Sequence, residues 1–143
     1  MGKVIDVIGI GADGPASLRP ELRERIAAAD FLAGGERQLS FFPEVRGQRF
    51  VIKDNLADLR EELGKRFPEQ NCVILASGDP LFYGIGTYLA GICGSQNVRI
   101  EPALSSMQLA FARAGISWQD ASLASIHGRD PRPVLLPLLG QPL

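Results

Sequence analysis

Apolar residues along this chain fall into two alternating rhythms. Residues 4–10 form a short strand-like run rich in Val and Ile, and residues 72–76 a wholly apolar one, which fits a strand covered on both faces, the habit of parallel sheets. Between them apolar positions recur every three or four residues, the spacing that lines one face of an α-helix. The first run ends in a glycine-rich turn, Gly9-Ile10-Gly11-Ala12-Asp13-Gly14. A helix is then predicted from near Pro20, a residue suited to a first helical turn, with Leu18, Leu22, Ile26 and Ala29 facing the core. Residues 31–33 are a brief apolar segment closed by Gly34-Gly35, and residues 50–52 read as another short strand. Asn55 is a candidate N-cap for a helix to about Arg66, with Leu56, Leu59, Leu63 and Phe67 as its buried stripe and Pro68 as its stop. The strand at 72–76 delivers the chain to Ser77-Gly78-Asp79-Pro80. A helix over 83–92, a strand over 98–100, a helix over 106–114 and a final strand over 121–127 complete the pattern.

Strand–helix–strand repetition predicts an α/β fold, a mostly parallel sheet flanked by helices and joined by right-handed crossovers. Such sheets bind ligands outside the carboxyl ends of their strands. Three glycine-bearing or polar loops fall there, at residues 9–14, 77–82 and 103–107, remote in sequence and expected to converge on one edge. Residues 1–129 read as one α/β domain. Composition changes after Arg129: Asp130-Pro131-Arg132-Pro133 resembles a linker, and the Leu-rich stretch from Val134 to Leu143 reads as the start of a second domain.

A length of 143 residues suits one domain of ordinary size. Fifteen Lys and Arg against sixteen Asp and Glu give a net charge of −1, without the basic excess of a nucleic-acid binder. The apolar stretch at the N-terminus is short and broken by Asp6, unlike a signal-peptide core or a membrane span. With only two cysteines, Cys72 and Cys93, the expectation is a cytoplasmic protein with no disulfide framework and no membrane association. One His and two Cys cannot build a four-ligand zinc site without carboxylates, so no metal is expected.

Gly9 to Gly14 spells G-x-G-x-x-G after a strand, the pattern of a nicotinamide or flavin dinucleotide fold. Pro15 follows directly, however, and the predicted helix starts later, so a pyrophosphate would lose the helix N-terminus that should hold it. The same glycines also serve a tight strand-to-loop turn. Gly78 would let a ligand approach the backbone, and Asp79 would accept hydrogen bonds from a ribose or an amine; equally, Gly, Asp and Pro favour a plain turn. Phe82, Tyr83 and Tyr88 fit stacking or the core. His127 stands alone in Ser125-Ile126-His127-Gly128-Arg129, and no G-x-S-x-G elbow supports a Ser105–His127 triad. A non-catalytic binding domain, with the apolar tail as its docking segment, remains a further alternative.

Taken together, Val7-Ile8-Gly9-Ile10-Gly11, Ala76-Ser77-Gly78-Asp79-Pro80-Leu81-Phe82-Tyr83-Gly84-Ile85-Gly86 and Pro102-Ala103-Leu104-Ser105-Ser106 resemble the tetrapyrrole methylases. Gly34-Gly35-Glu36-Arg37 and His127-Gly128-Arg129 are similar to the precorrin-6Y methyltransferase (decarboxylating) branch, called CbiE as a separate subunit and CobL when fused. Two positions depart from the pattern: Gln38 stands where this branch often has His, and Ala12-Asp13-Gly14 replaces the Pro-Gly-Asp-Pro type of first loop. The resemblance implies two α/β domains with the cofactor, S-adenosyl-L-methionine, in the cleft between them. It implies methyl transfer to carbon 5 of a precorrin in cobalamin biosynthesis, with a decarboxylating methyltransferase partner (a CbiT-like subunit or a fused domain), and commonly a homodimer. By the same resemblance, cofactor contacts fall on Gly11, Ala12, Gly78, Asp79, Phe82, Ser105 and Ser106. The polyanionic substrate makes Arg37, Lys53, His127 and Arg129 candidate carboxylate contacts, Arg being suited to bidentate pairing; each is equally readable as a solvated surface charge. Methyl transfer from a sulfonium demands in-line positioning more than acid–base machinery, which suits a chain whose catalytic residues are not evident from its sequence.

Overall fold

A computed structural model describes residues 3–140. The chain forms two compact units, Met1–Ser106 and Met107–Leu143. The first contains β1 (Ile5–Ile10), α1 (Pro20–Ala27), β2 (Phe31–Gly34), α2 (Glu36–Ser40), β3 (Gln48–Val51), α3 (Leu56–Arg66), β4 (Cys72–Ser77), α4 (Ile85–Cys93) and β5 (Val98–Glu101). The strands form one sheet in the order β3-β2-β4-β1-β5, every pairing parallel.

Side chains alternate across the sheet with the strand period of two. Ile8, Ile10, Leu32, Val73 and Leu75 pack with Leu22 and Ile26 of α1 and Leu39 of α2. Ile5, Val7, Phe31, Ala33, Cys72 and Ile74 pack with Leu59 and Leu63 of α3 and Leu89 of α4 on the other face. The wholly apolar run of β4 was therefore the right signature of a strand covered on both sides, and β1 is covered in the same way. The connection after β1 runs over the α1 face to β2, and the one after β4 runs over the α4 face to β5. Adjacent strands whose connections leave to opposite faces open a crevice at their carboxyl ends, the switch point where such sheets bind ligands.

Asp6, the polar residue inside β1, has a specific partner. It stands opposite Arg99 in the parallel register, whose Nε and Nη2 donate to its carboxylate oxygens at 2.6 and 2.8 Å. Arg25 of α1 bridges Asp6 and Glu101 at 3.3 and 2.9 Å, and Arg19 adds a contact to Glu101 at 3.0 Å. These charges finish the edge strand β5, where an apolar face would invite another strand. At the opposite edge Arg49 of β3 does similar work, donating to the carbonyls of Leu39 and Phe42.

Several expectations need correction. β3 begins at Gln48, ahead of its expected apolar residues, because as an edge strand it is largely exposed and needs no apolar run. α4 begins at Ile85, not Tyr83, because Tyr83 has a left-handed backbone (φ 51°) that no helix accepts. Asn55 does stand at the N-cap of α3, but its side chain makes no capping bond: it takes the Lys53 amide at 2.8 Å and donates to the Val51 carbonyl at 3.1 Å, closing the turn after β3 instead.

In the second unit, α5 (Ser106–Ala114), which opens on the last residue of the first, is the helix expected at 106–114. No strand forms over 121–127, and Leu123 and Ile126 are exposed rather than buried in a ladder. The expected linker at 130–133 instead opens a short helix, α6 (Pro131–Leu135), because Asp130 accepts the Arg132 amide at 3.1 Å as an N-cap and Pro131 suits the first turn. Of the apolar tail, residues 141–143 lie outside the described residues. Among the described residues no helix is long and apolar enough to cross a membrane.

Burial gives one core residue a measurable signature. Cys72 is 1% exposed, and desolvation pushes its thiol from the usual 9.0 up to about 11. The unfolded chain releases this proton near 9 while the folded chain still holds it, so folding is weakened as pH rises between about 9 and 11. We expect Cys72→Ala to lose this part of the alkaline fall in stability, measured as a flatter dependence of the urea midpoint on pH in that window than in the wild type.

Candidate functional site

The three loops foreseen from the sequence meet at the carboxyl ends of β4, β1 and β5, and they meet backbone to backbone. The Gly78 amide donates to the Ile10 carbonyl at 2.8 Å, and the Ala103 amide donates to the Gly78 carbonyl at 3.2 Å. Gly78 has φ 61°, the left-handed region that glycine enters at little cost. A Cβ on Gly9 would stand 2.0 Å from the Gly78 carbonyl oxygen and 2.8 Å from the Ala103 nitrogen. A Cβ on Gly78 would lie 3.0 Å from Cα of Ser105. The rim is therefore close-packed main chain, with its glycines where side chains cannot fit.

Sequence-derived candidates in the first unit fall on this rim. Gly11 accepts the Gly14 amide at 3.0 Å and donates its own amide to Ser17 Oγ at 3.1 Å, which leaves Ala12 exposed at the tip of the turn. Asp79 is half-buried, and its Oδ1 takes the Leu81 amide at 2.8 Å. A carboxylate offers about four lone-pair directions, so this turn leaves it acceptor capacity. The Phe82 amide donates to the Asp79 carbonyl at 3.1 Å, and the Phe82 ring meets Tyr83 edge-to-face at 5.1 Å. Beneath them Gly84 and Gly86 pack on the Pro80 carbonyl, where a Cβ would come within 2.6 and 2.8 Å. Ser105 is buried and Ser106 exposed. Arg37 lies on α2, directly after β2 on the same edge of the sheet, with its guanidinium 5.8 Å from the centre of the Phe41 ring. Lys53 is paired with Glu36 at 2.8 Å, a bond that holds the Glu36 carboxyl below and the Lys53 ammonium above their ordinary pKa values. His127 and Arg129 belong to the second unit, where both are exposed; the His127 amide donates to Ser125 Oγ at 3.2 Å.

Three features of the rim escaped sequence reasoning. Gln38 donates from Nε2 to Ser77 Oγ at 2.6 Å across 39 positions of chain, and nothing local announces such a pair. Tyr83 is the non-glycine residue with positive φ among the described residues, flanked by a glycine but carrying no sequence mark of its own. Gly9 was legible as a turn glycine, but not as the point on which two other loops close.

The charge of the rim separates the chemistries open to it. Residues 9–17, 77–84 and 102–106 contain Asp13 and Asp79 but neither Lys nor Arg. A pyrophosphate needs donors or positive charge, and the segment after the first turn, Gly14–Ser17, is a four-residue 3-10 helix. The third glycine of the G-x-G-x-x-G packs against Phe41, whose ring carbons a Cβ would meet at 3.3 Å. An acceptor-rich, glycine-lined rim instead suits a ligand bearing a cation and hydroxyl groups. The residues present thus fit an adenosyl-sulfonium compound better than a dinucleotide.

The family model for tetrapyrrole (corrin/porphyrin) methylases matches residues 4–140. The chain belongs to this family. The cobalt-precorrin-7 C(5)-methyltransferase of Salmonella typhimurium is 43% identical over 126 residues, 88% of this chain and 62% of that protein. The precorrin-6Y C(5,15)-methyltransferase [decarboxylating] of Sinorhizobium sp is 38% identical over 130 residues, 87% of this chain and 30% of that protein. The chain thus spans less than two thirds of the length of these relatives. Among solved structures, the precorrin-6Y methylase (cbiE) from Archaeoglobus fulgidus superposes with a TM-score of 0.71 at 23% identity, covering 90% of this chain and 67% of that one. The uroporphyrin-III C-methyl transferase from Thermus thermophilus complexed with S-adenyl homocysteine gives 0.61 at 18% identity, covering 92% and 61%. These likenesses agree with the α/β fold expected for the methylases.

The rim should be intolerant of added atoms. We expect Gly9→Ala to cost about 3 kcal/mol of stability through overpacking. Gly64→Ala, on α3 with nothing within 4 Å of the new methyl, should gain about 0.5–1 kcal/mol. Urea unfolding of the two variants beside the wild type measures both.

Proposed function

We propose that this chain carries the S-adenosylmethionine-binding part of a precorrin C5-methyltransferase of cobalamin biosynthesis. The observation that carries the reading is the acidic, glycine-lined rim at the carboxyl ends of β1, β4 and β5, where Asp79 lies beside backbone that a ligand can approach closely. Its membership of the tetrapyrrole methylases and its 43% identity to a cobalt-precorrin-7 C(5)-methyltransferase support the same reading.

When bound, S-adenosylmethionine supplies a methyl group made electrophilic by its sulfonium. The chain's own residues orient and shield. Asp79 accepts hydrogen bonds from a ribose hydroxyl or an amine and offsets positive charge. Gly78 and Gly11 let the main chain approach; Ala12 and Phe82 add apolar surface, and Ser105 and Ser106 add hydroxyls. Displacement at a methyl carbon requires nucleophile, carbon and leaving sulfur in line, so rigid placement by backbone hydrogen bonds is itself the catalytic contribution. Arg37 would pair with a carboxylate of the tetrapyrrole, a group that a guanidinium fork suits. His127 and Arg129 are proposed as further carboxylate contacts. A decarboxylating methyltransferase partner, fused or separate, would act at the other methylation position.

Asp79→Asn keeps the acceptor for the Leu81 amide and removes the charge. We expect it to weaken binding of S-adenosylhomocysteine about tenfold, the scale of one charge-assisted hydrogen bond, with little change in melting temperature. Titration calorimetry measures this, and an unchanged dissociation constant would take Asp79 out of the site.

A further inference from the structure

We propose that Gln38 is a positioning residue that ties α2, carrying Arg37, to the turn after β4, carrying Asp79, through its hydrogen bond to Ser77. The proposal rests on the cofactor reading above and adds to it a link between the two binding loops.

The geometry is built for this contact. Gln38 sits on α2, one position after Arg37, and its Nε2 reaches Ser77 Oγ at 2.6 Å. The side chain crosses a bay that Gly34 and Gly35 keep free of side chains. A Cβ on Gly35 would stand 2.6 Å from Gln38 Oε1, and one on Gly34 would stand 3.6 Å from Gln38 Cβ. Gly35 thus leaves the amide the room in which it lies, while the bareness of Gly34 answers to Leu75, whose Cβ an added Cβ would meet at 3.0 Å. Ser77 ends β4 in register with Ile10, and the next amide, that of Gly78, donates to the Ile10 carbonyl. Fixing the Ser77 side chain therefore fixes the residue from which Gly78 and Asp79 depart. The ladder between β2 and β4 runs from Phe31↔Cys72 to Ala33↔Ile74, so beyond it the Gln38–Ser77 bond continues the connection by side chains where the backbone ladder stops.

The test uses the whole protein with both α/β domains, with amide exchange by NMR and calorimetry with S-adenosylhomocysteine. Gln38→Leu removes the donor, Ser77→Ala removes its partner, and Gln38→Glu restores a bond by accepting from the Ser77 hydroxyl. Loss of one neutral hydrogen bond sets the scale at about fivefold. Expected are faster exchange at Gly78 and Leu81 and a dissociation constant raised about fivefold in Gln38→Leu and in Ser77→Ala. The melting temperature should hold, Gln38→Glu should return both readouts toward the wild type, and the double variant should be no worse than either single one. Faster exchange with an unchanged dissociation constant would make the bond merely structural and overturn the proposal, as would no change in either. A wild-type protein carrying both α/β domains that takes up no S-adenosylhomocysteine overturns the cofactor reading itself, an outcome distinct from a wild type that binds and a Gln38→Leu that binds equally well.

Discussion

The structure turns on the missing side chain at Gly9. Parallel strands lie about 4.8 Å apart, and at most positions their carboxyl ends diverge into loops separated by side chains. At Gly9 the main chain of two other loops occupies the space a Cβ would need: the Gly78 carbonyl on one side and the Ala103 amide on the other. That closeness permits a short relay, Gly78 N–H to Ile10 C=O and Ala103 N–H to Gly78 C=O, linking the ends of three strands without a side chain. Because this link is main chain, it uses none of the side chains of the loops; the Gln38–Ser77 bond adds to it from α2, and the remaining exposed residues are left to determine chemistry.

The two ends of the sheet use charge in opposite ways. Low on the β1–β5 pair, a carboxylate that is 7% exposed is answered by two guanidiniums, and Glu101 extends the pairing to Arg19. Charges so paired complete an edge strand and leave nothing for a ligand. At the rim the acidic residues stand without lysine or arginine in the same turns. Asp79 satisfies one backbone amide of its own loop and still has lone pairs to offer. An ion pair neutralises its own field, whereas an acid in a turn of backbone donors keeps a field that selects for positive charge.

How much of this was legible in the sequence depends on how local each signal was. β1 and β4, with apolar runs covered on both faces, and α1 and α3, with stripes of leucine and isoleucine, announce themselves because burial there follows the period of the element. α2 was not foreseen: at five residues, Glu36–Ser40, it is too short to show a period and buries only Leu39. The strand expected over 121–127 failed for another reason, since a short segment can read as a strand but only a neighbouring strand supplies its ladder. The three loops of the candidate site were legible because glycine, aspartate and proline mark turns wherever they fall. The contacts that join those loops were not, because Gln38 and Ser77, like Asp6 and Arg99, meet only after the sheet has formed. Asp6 did leave a trace, as a polar residue in a run that is otherwise apolar.

The glycine pattern after β1 shows why a string of residues underdetermines its ligand. G-x-G-x-x-G is usually read through a pyrophosphate seated on a helix N-terminus. Here each glycine answers to the protein itself: Gly9 to the neighbouring loops, Gly11 to Ser17, and Gly14, at φ 60°, to the ring of Phe41. The helix that would point its amides at a phosphate is replaced by a 3-10 turn held by Ser17 Oγ, which donates to the Gly14 carbonyl at 2.7 Å. Nothing in the spacing of the glycines distinguishes the two cases. What does is the length of the element that follows and the sign of the charge on the adjoining turns, and both point away from a diphosphate. The glycines set how closely a ligand can approach; the carboxylates around them set which ligand gains by approaching.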